Sequence, residues 1–328
     1  ICEGLVGSEM CIRDSSKGNI GIGSCATKND SEESTKECFD KLNSFSSSLI
    51  GKELAPDENT FDWIASELPL NTEANAAVDI ALHDLWAKSQ KKMLVDVLGK
   101  KHQSFDTSIT IGVSSLEKTI EMAKKHIDNG FSILKIKIGD CVEEDIERME
   151  ALFELKPEKI KIRVDANRGY SKQELIKFYD ETVDLGLELI EQPMEVDQNN
   201  EMLYFPEEIR KICVADESLQ NFEHAIRLVQ EPKPFGVFNI KLMKCGGIYA
   251  ARKIAALAHE NDIKLMWGCF DESKLSISAA LHTALSCENT EYIDLDGFFD
   301  LGWDLVEGGY TCENGIMSVI EKPGLGAY

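Results

Sequence analysis

Six charged residues close short apolar runs in the C-terminal two-thirds of this chain. Lys137 ends Ile133-Leu134-Lys135-Ile136-Lys137, Asp165 ends the run from Ile160, and Glu191 ends the run from Leu187. Asp216 follows Ile212-Cys213-Val214-Ala215, Lys241 follows Val237-Phe238-Asn239-Ile240, and Asp294 follows Tyr292-Ile293. The successive spacings are 28, 26, 25, 25 and 53 residues, and Leu265-Met266-Trp267-Gly268 lies midway through the last, double interval. Taken singly, an acidic residue after a strand is usually the N-cap of the next helix. Six reactive residues in register are a different signal. Three carboxylates brought to one point (Asp165, Glu191, Asp216) repel one another unless a cation lies between them, and hard oxygen donors suit Mg²⁺. Lys137 and Lys241 flank that triad. A lysine beside a divalent cation and a second ammonium is pushed toward neutrality and becomes a general base. Lys135 shares a strand face with Lys137 and is the second ammonium. Two such lysines would take a proton from one face of a carbon and return one to the other, with the metal stabilising the enediolate formed between the two transfers.

Strands spaced by roughly 25–30 residues are βα units, and strand C-termini converge at one mouth only in a barrel. The elements fall in order. The first barrel strand is expected at Thr107–Gly112 and is followed by a helix over 115–129 that Gly130 closes. Lys135 and Lys137 ride the second strand. Helices are expected over 145–155, 171–185, 221–229, 248–261 and 277–285, between the strands that carry the charges. No eighth helix follows Asp294. Gly308-Gly309, Asn314-Gly315 and Pro323-Gly324 read instead as turns between short strands. Before the barrel, residues 31–49 and a stretch from Asn71 to Gly99 read as helices, the second with Val78, Ala81, Leu82, Leu85 and Trp86 on one face. His83 within it reads as a structural residue. The expected architecture is α/β: a (β/α)7β modified TIM barrel over 106–298. A capping α+β domain over 1–105 is completed by about 299–328.

Lys135-Ile136-Lys137, Asp165-Ala166-Asn167, Ile190-Glu191-Gln192-Pro193, Ala215-Asp216-Glu217-Ser218 and Lys241 together resemble the muconate-lactonizing-enzyme subgroup of the enolase superfamily. That superfamily is a known case of a lysine base beside Mg²⁺, so this pairing is also what the resemblance implies. Ile293-Asp294-Leu295-Asp296-Gly297 resembles the Asp-x-Asp of the dipeptide epimerases, in which the pair holds the substrate's α-ammonium, and Asp294 and Asp296 are expected to share one face of the eighth strand. The resemblance implies one Mg²⁺ on Asp165, Glu191 and Asp216, with Lys137 and Lys241 as the two bases. Lys135 and Asn167 would support them, and Asp294 and Asp296 would bind a dipeptide. Phe270 is expected to face the pocket for an apolar side chain, while Asp271 and Glu272 either orient the site or close a turn. Counting Asp165, Glu191, Asp216, Asp294 and Asp296 against three lysines and one Mg²⁺ gives a neutral site, or −1 with one lysine neutral as the base, which suits a zwitterion with its ammonium at the aspartate pair. The expected reaction inverts the α-carbon of a dipeptide's C-terminal residue. Muconate cycloisomerisation and o-succinylbenzoate synthesis are the alternatives within the subgroup. A non-catalytic metal-binding relative and a Schiff-base enzyme are the alternatives outside it.

With 58 acidic against 35 basic residues the net charge is −23, which disfavours nucleic-acid backbones as partners. No apolar run is long enough for a transmembrane helix. The ten cysteines are scattered without a C-x-x-C pair, as expected of reduced thiols in a cytoplasmic protein. A homo-oligomer is neither required nor excluded. Relatives open with a two-stranded hairpin and a loop over the active site. Gly18-Asn19-Ile20-Gly21-Ile22-Gly23 resembles the strand that follows that hairpin, and residues 1–16 read as foreign or truncated sequence in its place.

Overall fold

Strands that are buried on both faces need near-continuous apolar runs, and those runs build the centre of this molecule. The computed structural model describes residues 2–6, 9–16, 18–27, 32–52, 54–69, 71–304 and 306–328. A three-stranded antiparallel sheet opens the chain: β1 (Cys2–Val6), β2 (Glu9–Ser16) and β3 (Asn19–Ala26). Residues 9–16, expected to stand outside the family pattern, pair in register with β3 from Glu9↔Ala26 to Ser16↔Asn19. Helices α1 (Glu32–Leu49), α2 (Glu58–Glu67), α3 (Thr72–Ser89) and α4 (Leu94–Leu98) and the short β4 (Phe105–Asp106) follow. The single helix expected up to Gly99 is thus two. Lys91 takes a left-handed φ of 55°, and the Leu94 N–H is drawn onto the Gly324 carbonyl (2.8 Å), which turns the chain before α4.

The barrel strands are β5 (Ile109–Ile111), β6 (Ile133–Lys137), β7 (Lys161–Asp165), β8 (Leu189–Glu191), β9 (Cys213–Ala215), β10 (Val237–Ile240), β11 (Lys264–Gly268) and β12 (Thr290–Asp294). They form one parallel sheet in chain order, and the Thr107↔Ile293 bridge brings its two edges together. Around it lie α5 (Leu116–Asp128), α6 (Val142–Leu155), α7 (Lys172–Thr182), α8 (Glu207–Ile212), α9 (Phe222–Leu228), α10 (Leu242–Cys245), α11 (Ile248–Glu260) and α12 (Lys274–Ala284). A capping box between Ser171 and Glu174 starts α7. After β12 comes a 3-10 turn at Gly297–Asp300, not a full helix. Two further strands follow, β13 (Tyr310–Glu313) and β14 (Ile316–Val319), with β14 paired between β13 and β4. Inside the barrel Leu189, Val214, Val237 and Met266 form a small apolar layer against Tyr292. No described helix is long and apolar enough to cross a membrane.

Helix α3 joins these parts. Gly21 and Gly23 let β3 lie directly on it, since a Cβ at either position would come within 2.2 Å of the Ala81 or Ala77 carbonyl oxygen. Asp79, buried in α3, accepts the first N–H groups of α11 from Ile248 (2.7 Å) and Tyr249 (3.1 Å). Asp84 accepts N–H groups from Ile22 (2.9 Å) and Leu325 (2.8 Å), linking β3 to the end of the chain. His83 faces the Asp79 carbonyl and stacks on Phe61, the structural role expected of it.

His282 on α12 ties α4 to the same C-terminal segment. Its Nδ1 accepts the Val95 N–H (2.9 Å) while Nε2 faces the Leu325 carbonyl oxygen (3.3 Å), a pattern that needs the neutral ring. Burial pushes its pKa from 6.5 down to about 3. Between these two values the unfolded chain binds a proton that the folded ring refuses, so this contribution to stability is full above pH 6.5 and is lost as pH falls toward 3. We expect urea unfolding of the wild type to lose roughly 2 kcal/mol more between pH 7.5 and 5.0 than that of His282→Gln. Equal pH dependence in the two proteins would contradict this role.

Candidate active site

Parallel register sets the first row of the site. Lys137 pairs with Asp165 and Asp165 with Glu191 across β6, β7 and β8, at the C-terminal ends of the strands. Asp216 follows β9 directly, and Lys241 follows β10. Lys135 Nζ reaches Glu191 Oε2 (2.7 Å), Asp294 Oδ2 (2.7 Å) and Asp165 Oδ2 (3.1 Å), so one buried ammonium serves three carboxylates. Lys137 Nζ donates to Asp165 Oδ2 and to Asn167 Oδ1, both at 2.7 Å. Asn167 itself stands at a left-handed φ of 42°, and its N–H donates to Asp165 Oδ1 (3.0 Å). Lys241 Nζ donates to Asp216 Oδ2 (2.9 Å) and lies 4.9 Å from the centre of the Phe270 ring. Lys135, Lys137, Lys241, Asn167 and Phe270 gather at this end of the barrel. Strands β6 and β10 lie four apart in an eight-stranded barrel, so Lys137 and Lys241 approach from opposite sides. Their side chains differ in access, 28% exposed for Lys137 and 11% for Lys241.

The aspartate pair departs from expectation. Strand β12 stops at Asp294, and Asp296 stands beyond it with helical backbone angles, so the two do not share a strand face. Asp294 is turned inward: Oδ1 accepts from Ser108 Oγ (2.6 Å) and Oδ2 from Lys135. Asp296 is half-buried, and its Oδ2 accepts the Thr110 N–H (2.7 Å). Asp271 and Glu272 also separate. Asp271 is exposed, whereas Glu272 is buried and accepts the Phe270 N–H (2.9 Å), holding the ring's backbone in place.

Burial, followed by Asp165, pushes the Glu191 carboxyl up to about 7, with Asp216 adding to the rise. Burial and then Asp294 push Asp296 up to about 7, and burial lifts Glu272 to about 7. Burial also opposes the charge of Asp165, but Lys135 and Lys137 overcome it and hold this group below its usual range. Asp216 is held low in the same way by Lys241 and Lys244. Burial opposes the charge of Lys241, yet Asp216 and Glu191 outweigh it and raise the pKa. The depressed lysine expected for a base is therefore not the state of Lys241 here, because the carboxylates around it hold its proton.

Four participants were missed in the sequence. Lys244, one helical turn beyond Lys241, is buried with its Nζ on Asp216 Oδ1. Asn239 Nδ2 donates to Glu191 Oε1 (2.7 Å). Its position two residues before Lys241 is the same period-two signal that drew attention to Lys135. Gln192, buried at φ 34°, accepts N–H groups from Asp216 and Ser218 (3.0 Å each) and binds the β8 end to the β9 end. Ser108 is the fourth. With Lys244 counted, five carboxylates face four ammonium groups, one more than expected.

The donor set fits a divalent cation: three buried carboxylates on adjacent strands, close enough for Asp165 and Asp216 to push up Glu191. Among the described residues no three Asp, Glu, His or Cys side chains are already arranged as a metal cluster. Their inner oxygens are turned onto ammonium groups instead. Lys135→Met would leave three buried carboxylates without their shared counter-ion. We expect metal-free urea unfolding to show a loss of about 3 kcal/mol or more. A loss below about 1 kcal/mol would mean that Lys135 does not hold the cluster together.

Residues 118–328 match the family described as enolase C-terminal domain-like. Residues 10–99 match the mandelate racemase / muconate lactonizing enzyme N-terminal domain. An L-Lys-D/L-Arg epimerase of Desulforapulum autotrophicum is 48% identical over 85% of this chain and 78% of its own length. The L-Ala-D/L-Glu epimerase of Bacillus subtilis is 35% identical over 85% of this chain and 76% of its own. A crystal structure of a dipeptide epimerase from Methylococcus capsulatus, complexed with Mg and L-Arg-D-Lys, superposes with a TM-score of 0.93 at 39% identity. The match covers 97% of this chain and 91% of that one.

Proposed function

We propose that this chain, which belongs to the mandelate racemase and muconate lactonizing enzyme family of the enolase superfamily, is a Mg²⁺-dependent dipeptide epimerase. One observation carries the reading: Lys137 and Lys241 reach a single carboxylate cluster from opposite sides of the barrel. A substrate α-carbon lying between them loses its proton to one Nζ and regains a proton from the other on the opposite face, which inverts the centre. Asp165, Glu191 and Asp216 would hold a divalent cation, which would supply positive charge to the substrate carboxylate and offset the anionic field that keeps the lysines protonated.

The remaining residues bind and orient. Asn167 and Asp165 aim Lys137, and the Phe270 ring, anchored through Glu272, covers Lys241. Asp294 is occupied by Lys135 and Ser108, so Asp296 carries most of the attraction for a substrate ammonium. A preference for cationic dipeptides is the reading we favour within this class. The 48% identical relative is named for Lys and Arg, and the exposed Asp271 and half-buried Asp296 add acidic groups just beyond the ends of β11 and β12. Cys25, Cys38, Cys141, Cys213, Cys245, Cys269, Cys287 and Cys312 are free thiols, and a reducing compartment such as the cytoplasm is the location we favour.

The direct test is α-proton exchange in D₂O with Mg²⁺ and pooled dipeptides, including Lys- and Arg-containing ones. We expect incorporation of one deuterium that EDTA abolishes. Absence of exchange on every dipeptide, with Mg²⁺ shown to bind, would turn the reading toward the cycloisomerase substrates. For an accepted dipeptide, Asp296→Asn is expected to raise KM about tenfold or more with a smaller change in kcat, the scale of one charge-assisted hydrogen bond. An unchanged KM would remove Asp296 from ammonium binding.

A further inference from the structure

Each of the three carboxylates in the triad has one oxygen committed to groups outside the lysines Lys135, Lys137 and Lys241 and one turned toward those lysines. Asp165 Oδ1 accepts the Asn167 N–H (3.0 Å), while Oδ2 faces Lys135 and Lys137. Glu191 Oε1 accepts from Asn239 Nδ2 (2.7 Å), while Oε2 faces Lys135. Asp216 Oδ1 accepts from Lys244, while Oδ2 faces Lys241 (2.9 Å). The two lysines that share Asp216 are held differently. Lys244 also donates to the backbone carbonyls of Asp216 (2.8 Å) and Asn239 (3.0 Å), so its three N–H donors meet three acceptors. Two of those acceptors are main chain at the ends of β9 and β10, and Lys244 is buried, so it has nowhere to swing. Lys241 has one carboxylate oxygen and the open face of Phe270. Asn239 is equally enclosed, packed against Gly268, where a Cβ would meet its amide oxygen at 2.6 Å.

We propose that Lys244 and Asn239 are positioning residues that reserve one oxygen each on Asp216 and Glu191, so that the triad meets a metal through single oxygens and favours Mg²⁺ over Ca²⁺. The proposal rests on the metal reading above. Its chemistry is that of the two ions. Mg²⁺ is small, demands near-octahedral geometry and keeps several waters, so single-oxygen carboxylates suit it. Ca²⁺ takes six to eight oxygens and gains from carboxylates that offer both. Freeing Asp216 Oδ1 or Glu191 Oε1 would make a two-oxygen contact available and shift selection toward the larger ion. Neither residue touches the reacting carbon in this scheme.

The test is calorimetric titration of the full chain with Mg²⁺ and with Ca²⁺, read as the ratio of the two affinities. That ratio does not depend on the fraction of folded protein in a preparation. We expect Lys244→Met to move it toward Ca²⁺ by about tenfold or more, and Lys244→Arg, which keeps the charge and donors, to stay near wild type. Asn239→Leu should move it in the same direction and serves if Lys244→Met does not fold. A ratio unchanged in whichever of these neutral variants folds overturns the proposal while leaving the metal reading intact. A wild-type chain that binds neither ion removes the metal reading itself, and the proposal with it.

Discussion

The repulsion among carboxylates on neighbouring strands is the constraint that shapes this molecule. Strands in a parallel sheet lie about 4.8 Å apart, and two unit charges near that distance repel by roughly 3 kcal/mol at an effective dielectric constant of about 20. Asp165 and Glu191 are register partners, and Asp216 stands at the end of the next strand. Two such repulsions, with a weaker third between Asp165 and Asp216 two strands apart, would rival the whole stability of an ordinary domain, about 5–15 kcal/mol. Burial of all three groups raises the cost further. Cations entering the same space offset this cost, and Lys135, Lys137, Lys241 and Lys244 are those cations.

These four lysines divide into two kinds. Lys135 and Lys244 are enclosed, each with three acceptors, and behave as fixed counter-ions of the fold. Lys137 and Lys241 are bound by fewer groups and border the open mouth. Proton transfer needs side chains that can leave their carboxylate partners, so the loosely held pair is suited to chemistry and the enclosed pair to stability. The cap contributes from outside. Through Asp79 and Asp84, α3 fixes the start of α11 and the C-terminal segment, which steadies the barrel wall without entering the site.

Much of this was legible in the sequence because strand ends in a βα repeat recur at nearly constant intervals. The positions of Lys137, Asp165, Glu191, Asp216 and Lys241 follow from that repeat alone. Asn239 was equally legible and was overlooked, since it shares the period-two face of Lys241. What could not be read was pairing over long chain distances. Lys135 and Asp294 are far apart in sequence, and nothing local says that this ammonium will pair with Asp294. Lys244 lies in an apolar run whose short helix appears only once β10 ends. The break between α3 and α4 is set by Gly324, a residue from the far end of the chain. Asp296 fell outside β12 because the backbone turns helical immediately after Asp294, and no side-chain pattern announces that turn.

The division of labour among the lysines also explains why charge counting alone misjudged the site. Three lysines and one dication balance five carboxylates, so the sequence describes a site that is neutral with every base protonated. The fourth ammonium, Lys244, changes the balance. Five carboxylates with four lysines and a dication carry one excess positive charge, and neutrality is reached when one lysine has given up its proton. An electrically balanced site is then one with a base ready, and the charge that makes this so sits on a residue enclosed by main-chain carbonyls. Stability of the fold and readiness for proton transfer are thus served by different lysines in one cluster. This is how a chain can bury so many charges and still leave two of them free to move.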